Sequence, residues 1–392
     1  MFGYDSMTTP MDGRARALIP VTLLTGFLGS GKTTVLNALV QRPEMARTLV
    51  VINEFGQIGL DHMLVAHSTE DILVEMDSGC LCCTIRGDLV RTLRDAVWRF
   101  SREGVRQFDR LVIETTGLSD PAPILHTLMT DRFIAARYRL DGVVCTVDLA
   151  NGDATLDAHP EALKQVAVAD SLLLTKEDIA DPALQLATRE RLRRLNPTAR
   201  QWHVPQGVVD PTAVLGLGLF DVNAKVPDVA RWLRLEVFQD HHEHGHEHGH
   251  EGGDAHHHHH DVNRHDDHIR AHCFSVSDPI DPAALDEWLD MMRAFMGPRM
   301  LRLKAVLNLR GEDVPVVLHG VQHILHPPAR LPAWPDGQRL SHLVFITQDI
   351  DRALIKGSLN ELMRAVPAAA PPETNRPASA LQAGAPARAP DG

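Results

Sequence analysis

A glycine-rich loop between two apolar segments is the feature that most constrains the fold of this chain. The loop, residues 26–34, reads GFLGSGKTT and matches the pattern G-x-x-x-x-G-K-[ST]. An apolar run at 21–24 precedes it, and a stretch with helical spacing at 35–40 follows it. Glycines let the backbone wrap around a phosphate group, and the start of a helix adds partial positive charge. The stretch therefore predicts a strand, a phosphate-binding loop and a helix, in that order.

The side chains expected around the phosphates come from this loop and from a second strand. The predicted nucleotide-binding residues of the loop are Gly26, Gly29, Ser30, Gly31, Lys32, Thr33 and Thr34. Lys32 is expected to reach the β- and γ-phosphates, and the Thr33 hydroxyl suits Mg²⁺. Glu114 ends the apolar run 110–114, and a carboxylate beside the loop suits Mg²⁺ directly or through water. We assign catalytic roles to Lys32, Thr33 and Glu114, and a γ-phosphate contact to the backbone N–H of Gly117.

A short polar motif, Thr175-Lys176-Glu177-Asp178, follows the apolar run 171–175. A carboxylate can accept both the N1–H and the N2–H of guanine, which adenine does not offer. The stem of a lysine can lie along the base. We therefore predict that Thr175, Lys176 and Asp178 bind guanine and that the nucleotide is GTP, although the start of an ordinary helix has a similar pattern.

Apolar runs alternate with helical patterns through the first half of the chain. Strands are predicted at 48–53, 72–76, 110–114, 142–148 and 171–175, with a helix over 85–100. Near-continuous apolar strands interleaved with helices indicate a parallel sheet covered on both faces. The second half instead predicts strands at 271–276, 300–309, 314–318 and 340–346, with helices at 282–295 and 351–364. The predicted fold class is α/β: a P-loop NTPase domain with a mostly parallel sheet, plus a small C-terminal α+β domain.

Changes in composition predict the domain boundaries. The expected segments are a flexible N-terminus at 1–18, the P-loop domain at 19–207, a connector at 208–239, a His-rich disordered loop at 240–268, the C-terminal domain at 269–366 and a disordered Ala/Pro-rich tail at 367–392. The His-rich segment contains almost no apolar side chains, so it cannot form a core.

Charge and hydropathy argue against a nucleic-acid partner, a membrane span and a signal peptide. The formal net charge of −12 argues against a nucleic-acid surface. No apolar run approaches the ~20 residues of a membrane span, and the first 20 residues contain no apolar core of a signal peptide. We expect a cytoplasmic protein.

Three of the five cysteines form a cluster: Cys80, Cys82 and Cys83. The cluster follows a predicted strand and precedes a predicted helix, a position that favours thiolates. Soft thiolates bind Zn²⁺, Cu⁺ or similar ions, and three of them leave a position open for a further ligand. Glu54, which also follows a strand, is the candidate for it. Buried structural thiols and a redox pair are the alternatives.

Fourteen of the 23 histidines lie between His241 and His272. Imidazoles at flexible spacing bind Zn²⁺, Ni²⁺, Co²⁺ or Cu²⁺ weakly and in several ways, so metal buffering or capture is the preferred role. A solvated linker is the alternative. Four other histidines are expected to be surface or core residues rather than ligands. These are His319, His323, His326 and His342.

Taken together, the motifs resemble one family. The order is GFLGSGKTT, then NEFG at 53–56, CLCC at 80–83, ETTG at 114–117 and TKED at 175–178. This series resembles the CobW-type P-loop GTPases, a group related to the GTPases that insert nickel into hydrogenase and urease. The resemblance covers about residues 19–205 and extends into the C-terminal domain through 301–306 and 339–346.

The resemblance implies a slow GTPase whose nucleotide state controls how it holds and delivers a transition metal. The CxCC stretch then lies in a switch region, and the partners are GTP or GDP and a client metalloprotein, with a homodimer as a further expectation. Thr175 stands where many such GTPases have Asn, but its hydroxyl can still form a hydrogen bond. No residue is identified as the one that positions the attacking water.

The leading hypothesis is a GTP-dependent metallochaperone for zinc, with Co²⁺ and Ni²⁺ as other candidate metals. One alternative is a cobalt-handling protein of cobalamin synthesis or an activator of nitrile hydratase. Another is a non-catalytic metal buffer in which the His-rich loop is the functional part.

Overall fold

The structure is a computed structural model that describes residues 18–52, 61–65, 72–76, 85–103, 105–217, 268–322, 324–326, 328–334 and 337–364. Some predicted features lie outside these ranges: Glu54, Cys80, Cys82, Cys83, His323, the segment 1–17, most of the His-rich segment and the tail after 364. No helix in the described ranges is long and apolar enough to cross a bilayer.

The first domain alternates strands and helices along the chain. Its elements are β1 (Ile19–Gly26), α1 (Lys32–Val40), β2 (Thr48–Ile52), β3 (Asp61–Val65), β4 (Ile72–Met76), α2 (Ile85–Arg99), β5 (Ser101–Arg102), β6 (Val105–Arg106), β7 (Arg110–Glu114), α3 (Ala122–Thr130), α4 (Arg132–Ala135), β8 (Tyr138–Asp148), α5 (Gly152–Ala158), α6 (Pro160–Val168), β9 (Ser171–Thr175), α7 (Pro182–Leu195) and β10 (Arg200–His203). A 3₁₀ turn follows at Pro205–Gly207 and another at Pro211–Ala213.

Eight of these strands form one sheet in the order β10-β9-β8-β1-β7-β2-β3-β4. The pairs from β10 through β2 are parallel, whereas β3 runs antiparallel to both β2 and β4. The predicted P-loop NTPase domain with a mostly parallel sheet is thus confirmed. The sequence pattern did not predict β3, in which only three consecutive apolar residues, Met63-Leu64-Val65, follow the polar pair Asp61-His62.

Apolar side chains cover both faces of the central strands. Leu23 and Ile113 belong to the cluster on one face, while Leu24 and Val112 belong to the cluster on the other. Since successive side chains of a strand point to opposite faces, a strand buried on both sides must be apolar at every position. This is why β1 and β7 are near-continuous apolar runs in the sequence.

The C-terminal domain is an antiparallel sheet with two helices. Its elements are β11 (Ile269–Val276), α8 (Pro282–Met296), β12 (Met300–Leu307), β13 (Val316–Val321), β14 (Ile324–Leu325), β15 (Ala329–Arg330), β16 (Ser341–Gln348) and α9 (Arg352–Arg364). The strand order is β11-β16-β12-β13-β14, and β15 also pairs with β13. The helices share a core with one face of this sheet, where Trp288 packs edge-on against Phe345 at 6.1 Å between ring centroids. This confirms the predicted α+β domain.

The other face of the C-terminal sheet packs against helix α6 of the first domain. Leu163 and Val166 of α6 belong to the same buried cluster as Leu301 of β12 and Ile346 of β16. Apolar contact of this kind removes both surfaces from water. The two domains are therefore joined through an apolar interface.

A buried ion cluster lies at the same interface. Asp170, just before β9, accepts from Arg302 at 2.5 Å and lies 2.9 Å from the Lys304 ammonium; both cations belong to β12. Its other oxygen accepts the Val143 N–H at 3.0 Å. Burial alone would raise the pKa of Asp170, but the two cations and the hydrogen bonds outweigh it and hold that pKa below its usual range.

The packed part of the first domain extends past the predicted boundary at residue 207. Val209 and Val214 are buried in its core, and the Thr22 hydroxyl donates to the Val214 carbonyl at 3.2 Å. The Gly216 N–H donates to the buried Asp141 carboxylate at 2.7 Å. Residues 208–217 therefore pack on the sheet, although short apolar residues between turns produce no periodic pattern that predicts it.

Replacing Asp170 by alanine is expected to lower the free energy of unfolding by about 3–5 kcal/mol, because two buried cations lose their carboxylate. Urea unfolding measures this change. Asp290→Ala is the matched control, since the exposed Asp290–Arg293 pair lies within one helix and should contribute less than about 1 kcal/mol. Similar losses in the two variants would contradict the assignment.

Two of the histidines predicted to be surface or core residues make the stability of the fold depend on pH. His319 and His326 stack at 4.6 Å between ring centroids, and burial followed by the charge of Arg302 lowers both pKa values, that of His326 to about 3. As the pH falls, each histidine takes up its proton near pH 6.5 in the unfolded chain, but only at a lower pH in the folded chain. Protonation therefore favours the unfolded chain, and the free energy of unfolding falls as the pH drops below about 6.5.

Urea unfolding at about pH 7 and about pH 5.5 measures the effect. At the lower pH, each of the two histidines is expected to lower the free energy of unfolding by about 1.4 kcal/mol. In His326→Gln the drop between these two pH values should be smaller by about that amount. An unchanged drop would contradict the prediction.

Candidate nucleotide-binding site

The glycine-rich loop leaves β1 at a position that only glycine can occupy. Gly26 has a φ of 140°, and a Cβ there would lie 2.2 Å from the Thr146 hydroxyl oxygen and 2.8 Å from the Ser30 hydroxyl oxygen. These two hydroxyls are themselves 2.6 Å apart, which ties the loop to β8 beside it. The loop is thus held tightly against the neighbouring strand.

Helix α1 begins at the end of the loop without a capping side chain. Gly31 is the N-cap residue, in the left-handed conformation with a φ of 92°. Because a glycine has no side chain to accept from the first turn, the N–H groups of that turn can bind an anion. The helix start is therefore suited to a phosphate group.

The Lys32 ammonium lies against the loop that precedes it. It donates to the Gly26 carbonyl at 2.9 Å and to the Phe27 carbonyl at 3.2 Å. The structure thus places the predicted phosphate-binding lysine at the glycine-rich loop, with its charge turned towards the backbone that would surround the phosphates.

The two predicted magnesium ligands are in contact. The Thr33 hydroxyl donates to Glu114 Oε1 at 3.1 Å. This contact follows from the sheet, since Glu114 of β7 pairs in register with Leu24 of β1, just before the loop. A hydroxyl and a carboxylate are the hard oxygen ligands that Mg²⁺ prefers, so the residues present fit this ion.

Gly117 also lies at the loop. A Cβ at Gly117 would be 2.6 Å from the backbone nitrogen of Leu28, so no larger residue fits without a backbone shift. The preceding Thr115 N–H donates to the Leu24 carbonyl at 2.9 Å, which extends the β1–β7 ladder into this segment. The predicted γ-phosphate contact is therefore next to the glycine-rich loop.

Thr175 connects the predicted base-binding motif to the loop. Its hydroxyl donates to the Ser30 carbonyl at 2.7 Å. The next residue, Lys176, has a φ of 56°, which is unusual for a residue with a side chain. Its ammonium pairs with the Asp148 carboxylate at 2.8 Å. Asp178, in contrast, is exposed.

Two residues that sequence reasoning did not identify complete this edge of the site. Asp148 ends β8; burial alone would raise its pKa, but hydrogen bonds from Asn151, Lys176 and the backbone hold that pKa below its usual range. Gly207, in the turn after β10, lies so near α1 that a Cβ there would be 2.7 Å from Thr34 Cγ2. The available signals were an acid at the end of an apolar strand and a glycine in a turn after β10.

The predicted transition-metal ligands, Glu54 and the cysteine cluster, lie outside the described residues. Among those that are described, no three His, Cys, Asp or Glu side chains come together to hold a metal ion. Cys145 and Cys273 are buried, and burial raises the pKa of each thiol to about 12. Neither is a candidate thiolate ligand at neutral pH.

A strand, a glycine-rich loop and a helix, with a strand-ending acid on the adjacent parallel strand, define a P-loop nucleotide-binding protein. Sequence comparison narrows the class. The CobW/HypB/UreG nucleotide-binding domain matches residues 20–203, and the C-terminal domain of the cobalamin synthesis protein CobW matches residues 269–363. The chain belongs to the CobW/HypB/UreG family.

Individual relatives agree with this family. The zinc chaperone YjiA of Escherichia coli is 32% identical over 331 residues, which cover 84% of this chain and 93% of the relative. The zinc-regulated GTPase metalloprotein activator 1 of Schizosaccharomyces pombe is 32% identical over 198 residues, 49% of this chain and 47% of its own length. The crystal structure of Zn(II)-bound YjiA GTPase from E. coli superposes with a TM-score of 0.62 at 27% identity, covering 88% of this chain and 99% of that one.

Replacing Thr175 by valine is expected to weaken nucleotide binding about 5- to 10-fold, because the buried Ser30 carbonyl loses its donor and the loop loses its link to the base motif. A fluorescent guanine nucleotide measures the affinity. Thr188→Val is the control, since the Thr188 hydroxyl is buried in α7 and has no hydrogen-bond partner among the described residues. Equal affinities in both variants would contradict this role of Thr175.

Proposed function

We propose that this protein is a cytoplasmic GTP-dependent zinc metallochaperone. It hydrolyses GTP to GDP and phosphate, and it delivers Zn²⁺ to a client metalloprotein. The observation that carries the nucleotide part is the contact between the Thr33 hydroxyl and Glu114 Oε1 beside the glycine-rich loop. The zinc part is supported by two relatives. One, which this chain matches over most of its length, is named a zinc chaperone, and the other is named a zinc-regulated GTPase metalloprotein activator.

In this proposal each residue at the loop acts on one part of Mg-GTP. The first-turn N–H groups of α1 and the Lys32 ammonium bind the β- and γ-phosphates. Thr33 and Glu114 hold Mg²⁺, which supplies positive charge to the phosphate oxygens when bound. The Gly117 N–H approaches the γ-phosphate. Since the described residues provide no evident group to position the attacking water, intrinsic hydrolysis is expected to be slow.

Guanine selection is assigned to the other end of the site. The exposed Asp178 carboxylate accepts the two guanine N–H groups, and the Lys176 stem lies along the base. The Lys176–Asp148 ion pair fixes the direction of that stem. Thr175, which donates to the Ser30 carbonyl, keeps the base motif at a fixed distance from the phosphate loop.

Zinc is the cargo, and its proposed ligands are Cys80, Cys82, Cys83 and Glu54. The cysteine cluster lies in the chain between β4, which ends at Met76, and α2, which begins at Ile85. The start of α2 favours thiolates over thiols in the residues just before it. Glu54 follows β2, which pairs directly with the strand that carries Glu114, so a change in nucleotide state can reach the zinc ligands through adjoining strand ends.

The decisive experiment measures Zn²⁺ affinity of the full chain with GDP and with a non-hydrolysable GTP analogue. We expect affinities that differ at least about tenfold between the two nucleotides. In Cys82→Ala/Cys83→Ala zinc binding at this site should be lost, because two of the three thiolates are gone.

Cys273→Ala is the matched control, since Cys273 is a buried thiol of the C-terminal domain and should leave Zn²⁺ affinity unchanged. Zinc affinity that is the same with both nucleotides and in the double variant would overturn the proposal. The metal-buffer alternative predicts a different pattern: deletion of residues 241–268 would abolish metal-dependent growth while Lys32→Ala would not.

A further inference from the structure

We propose that Gln165 is a positioning residue: it holds the segment at Gly117 where the Gly117 N–H can contact the γ-phosphate. Gln165 thereby sets the relative affinities for GTP and GDP. The inference rests on the proposed function, because it takes the Gly117 N–H as the γ-phosphate contact. It concerns a residue on α6 that belongs to none of the motifs of the nucleotide site and lies 48 residues after Gly117 in the chain.

Gln165 is fully buried and directs its amide to one loop. Its Nε2 donates to the Gly117 carbonyl at 3.1 Å and to the Ser119 carbonyl at 3.0 Å. Both N–H groups of the side chain are thus used on the backbone of the segment that follows Glu114. An amide NH₂ is suited to this role, because it offers two donors in a fixed geometry.

The residue before Gln165 holds the next part of the same segment. The Lys164 ammonium lies 3.1 Å from Asp120 Oδ2, and Asp120 Oδ1 accepts the Ala122 N–H at 2.9 Å. Adjacent side chains of α6 therefore hold the segment from Gly117 to Asp120. We call this segment, residues 117–120, the γ-loop.

The γ-loop is confined from the opposite side as well. A Cβ at Gly117 would be 2.6 Å from the Leu28 backbone nitrogen, so Gly117 lies directly between the glycine-rich loop and Gln165. Within the turn, the Thr116 and Ser119 hydroxyls are 2.8 Å apart. A movement of Gly117 away from the glycine-rich loop would therefore change the hydrogen bonds that its carbonyl and the Ser119 carbonyl accept from Gln165.

The position of Gln165 is itself fixed by the domain interface. Leu163 and Val166, its neighbours on α6, are buried in the cluster that contains Leu301 and Ile346 of the C-terminal domain. Since α6 packs against both domains, it cannot follow the γ-loop without disturbing that interface. Gln165 is thus a rigid anchor and not a side chain that adapts to the loop.

A second glutamine provides a matched comparison. Gln185 of α7 donates from Nε2 to the Glu177 carbonyl and to the Ala180 carbonyl, both at 3.0 Å. The contact chemistry is the same, but the loop it holds is the base motif. The base is common to GTP and GDP, whereas the γ-phosphate belongs to GTP alone.

The test compares Gln165→Met with Gln185→Met, since methionine keeps the side-chain length and removes both donors. Dissociation constants for GDP and for a non-hydrolysable GTP analogue are measured with Mg²⁺, together with thermal unfolding of each variant. Gln165→Met should weaken binding of the GTP analogue about tenfold and leave GDP within about twofold of wild type. Gln185→Met should weaken both by a similar factor, because its loop contacts only the shared base.

Lys164→Met is a milder variant for the case in which Gln165→Met does not fold, since the Lys164 side chain is only partly buried. It should shift the GTP-to-GDP affinity ratio in the same direction by a smaller factor. An unchanged ratio in Lys164→Met and in folded Gln165→Met overturns the role of Gln165, as does an equal loss of both nucleotides. If the wild-type chain binds neither nucleotide, the proposed function fails with it; if wild type binds both and only the ratio is insensitive to the variants, this inference alone fails.

Discussion

The parallel pairing of β1 with β7 on one side and β8 on the other is the constraint on which the nucleotide site depends. Because the carboxyl ends of parallel strands meet at one edge of a sheet, the glycine-rich loop, Glu114 and Asp148 lie side by side. The register of Leu24 with Glu114 brings the acid to the Thr33 hydroxyl. A shift of one residue would turn the Glu114 side chain to the other face of the sheet.

Helix α6 lies between the nucleotide site and the C-terminal domain. One side of it donates to the segment after Glu114 through Lys164 and Gln165, and another side packs against the C-terminal sheet. The chain after α6 continues to Asp170, which pairs with two cations of the C-terminal domain. The nucleotide edge and the domain interface are thus separated by a single helix, so each is mechanically linked to the other.

Local patterns predicted the parts of the site in which neighbours in sequence act together. The glycine-rich loop and its flanking strand and helix lie within one short stretch, and the mostly parallel sheet follows from apolar runs alternating with helices. Lys32 and Thr33 were predicted as site residues in this way, and Glu114 was predicted from its place at the end of an apolar run. Gln165 and Gly207 were not, because each contacts a segment far away in the chain and neither forms part of a periodic or compact motif. The strand Asp61–Val65 was not predicted, because its apolar run of three residues is short and follows two polar residues.

By itself, the sequence determined the family, the P-loop nucleotide-binding domain and the C-terminal α+β domain, since these depend on hydrophobic periodicity and on residues adjacent in the chain. The tertiary structure alone decided which distant groups meet: Thr175 with the Ser30 carbonyl, Gln165 with the Gly117 carbonyl, and Asp170 with Arg302. These contacts join segments tens to more than a hundred residues apart. Strand order and register, which no local pattern encodes, bring them together.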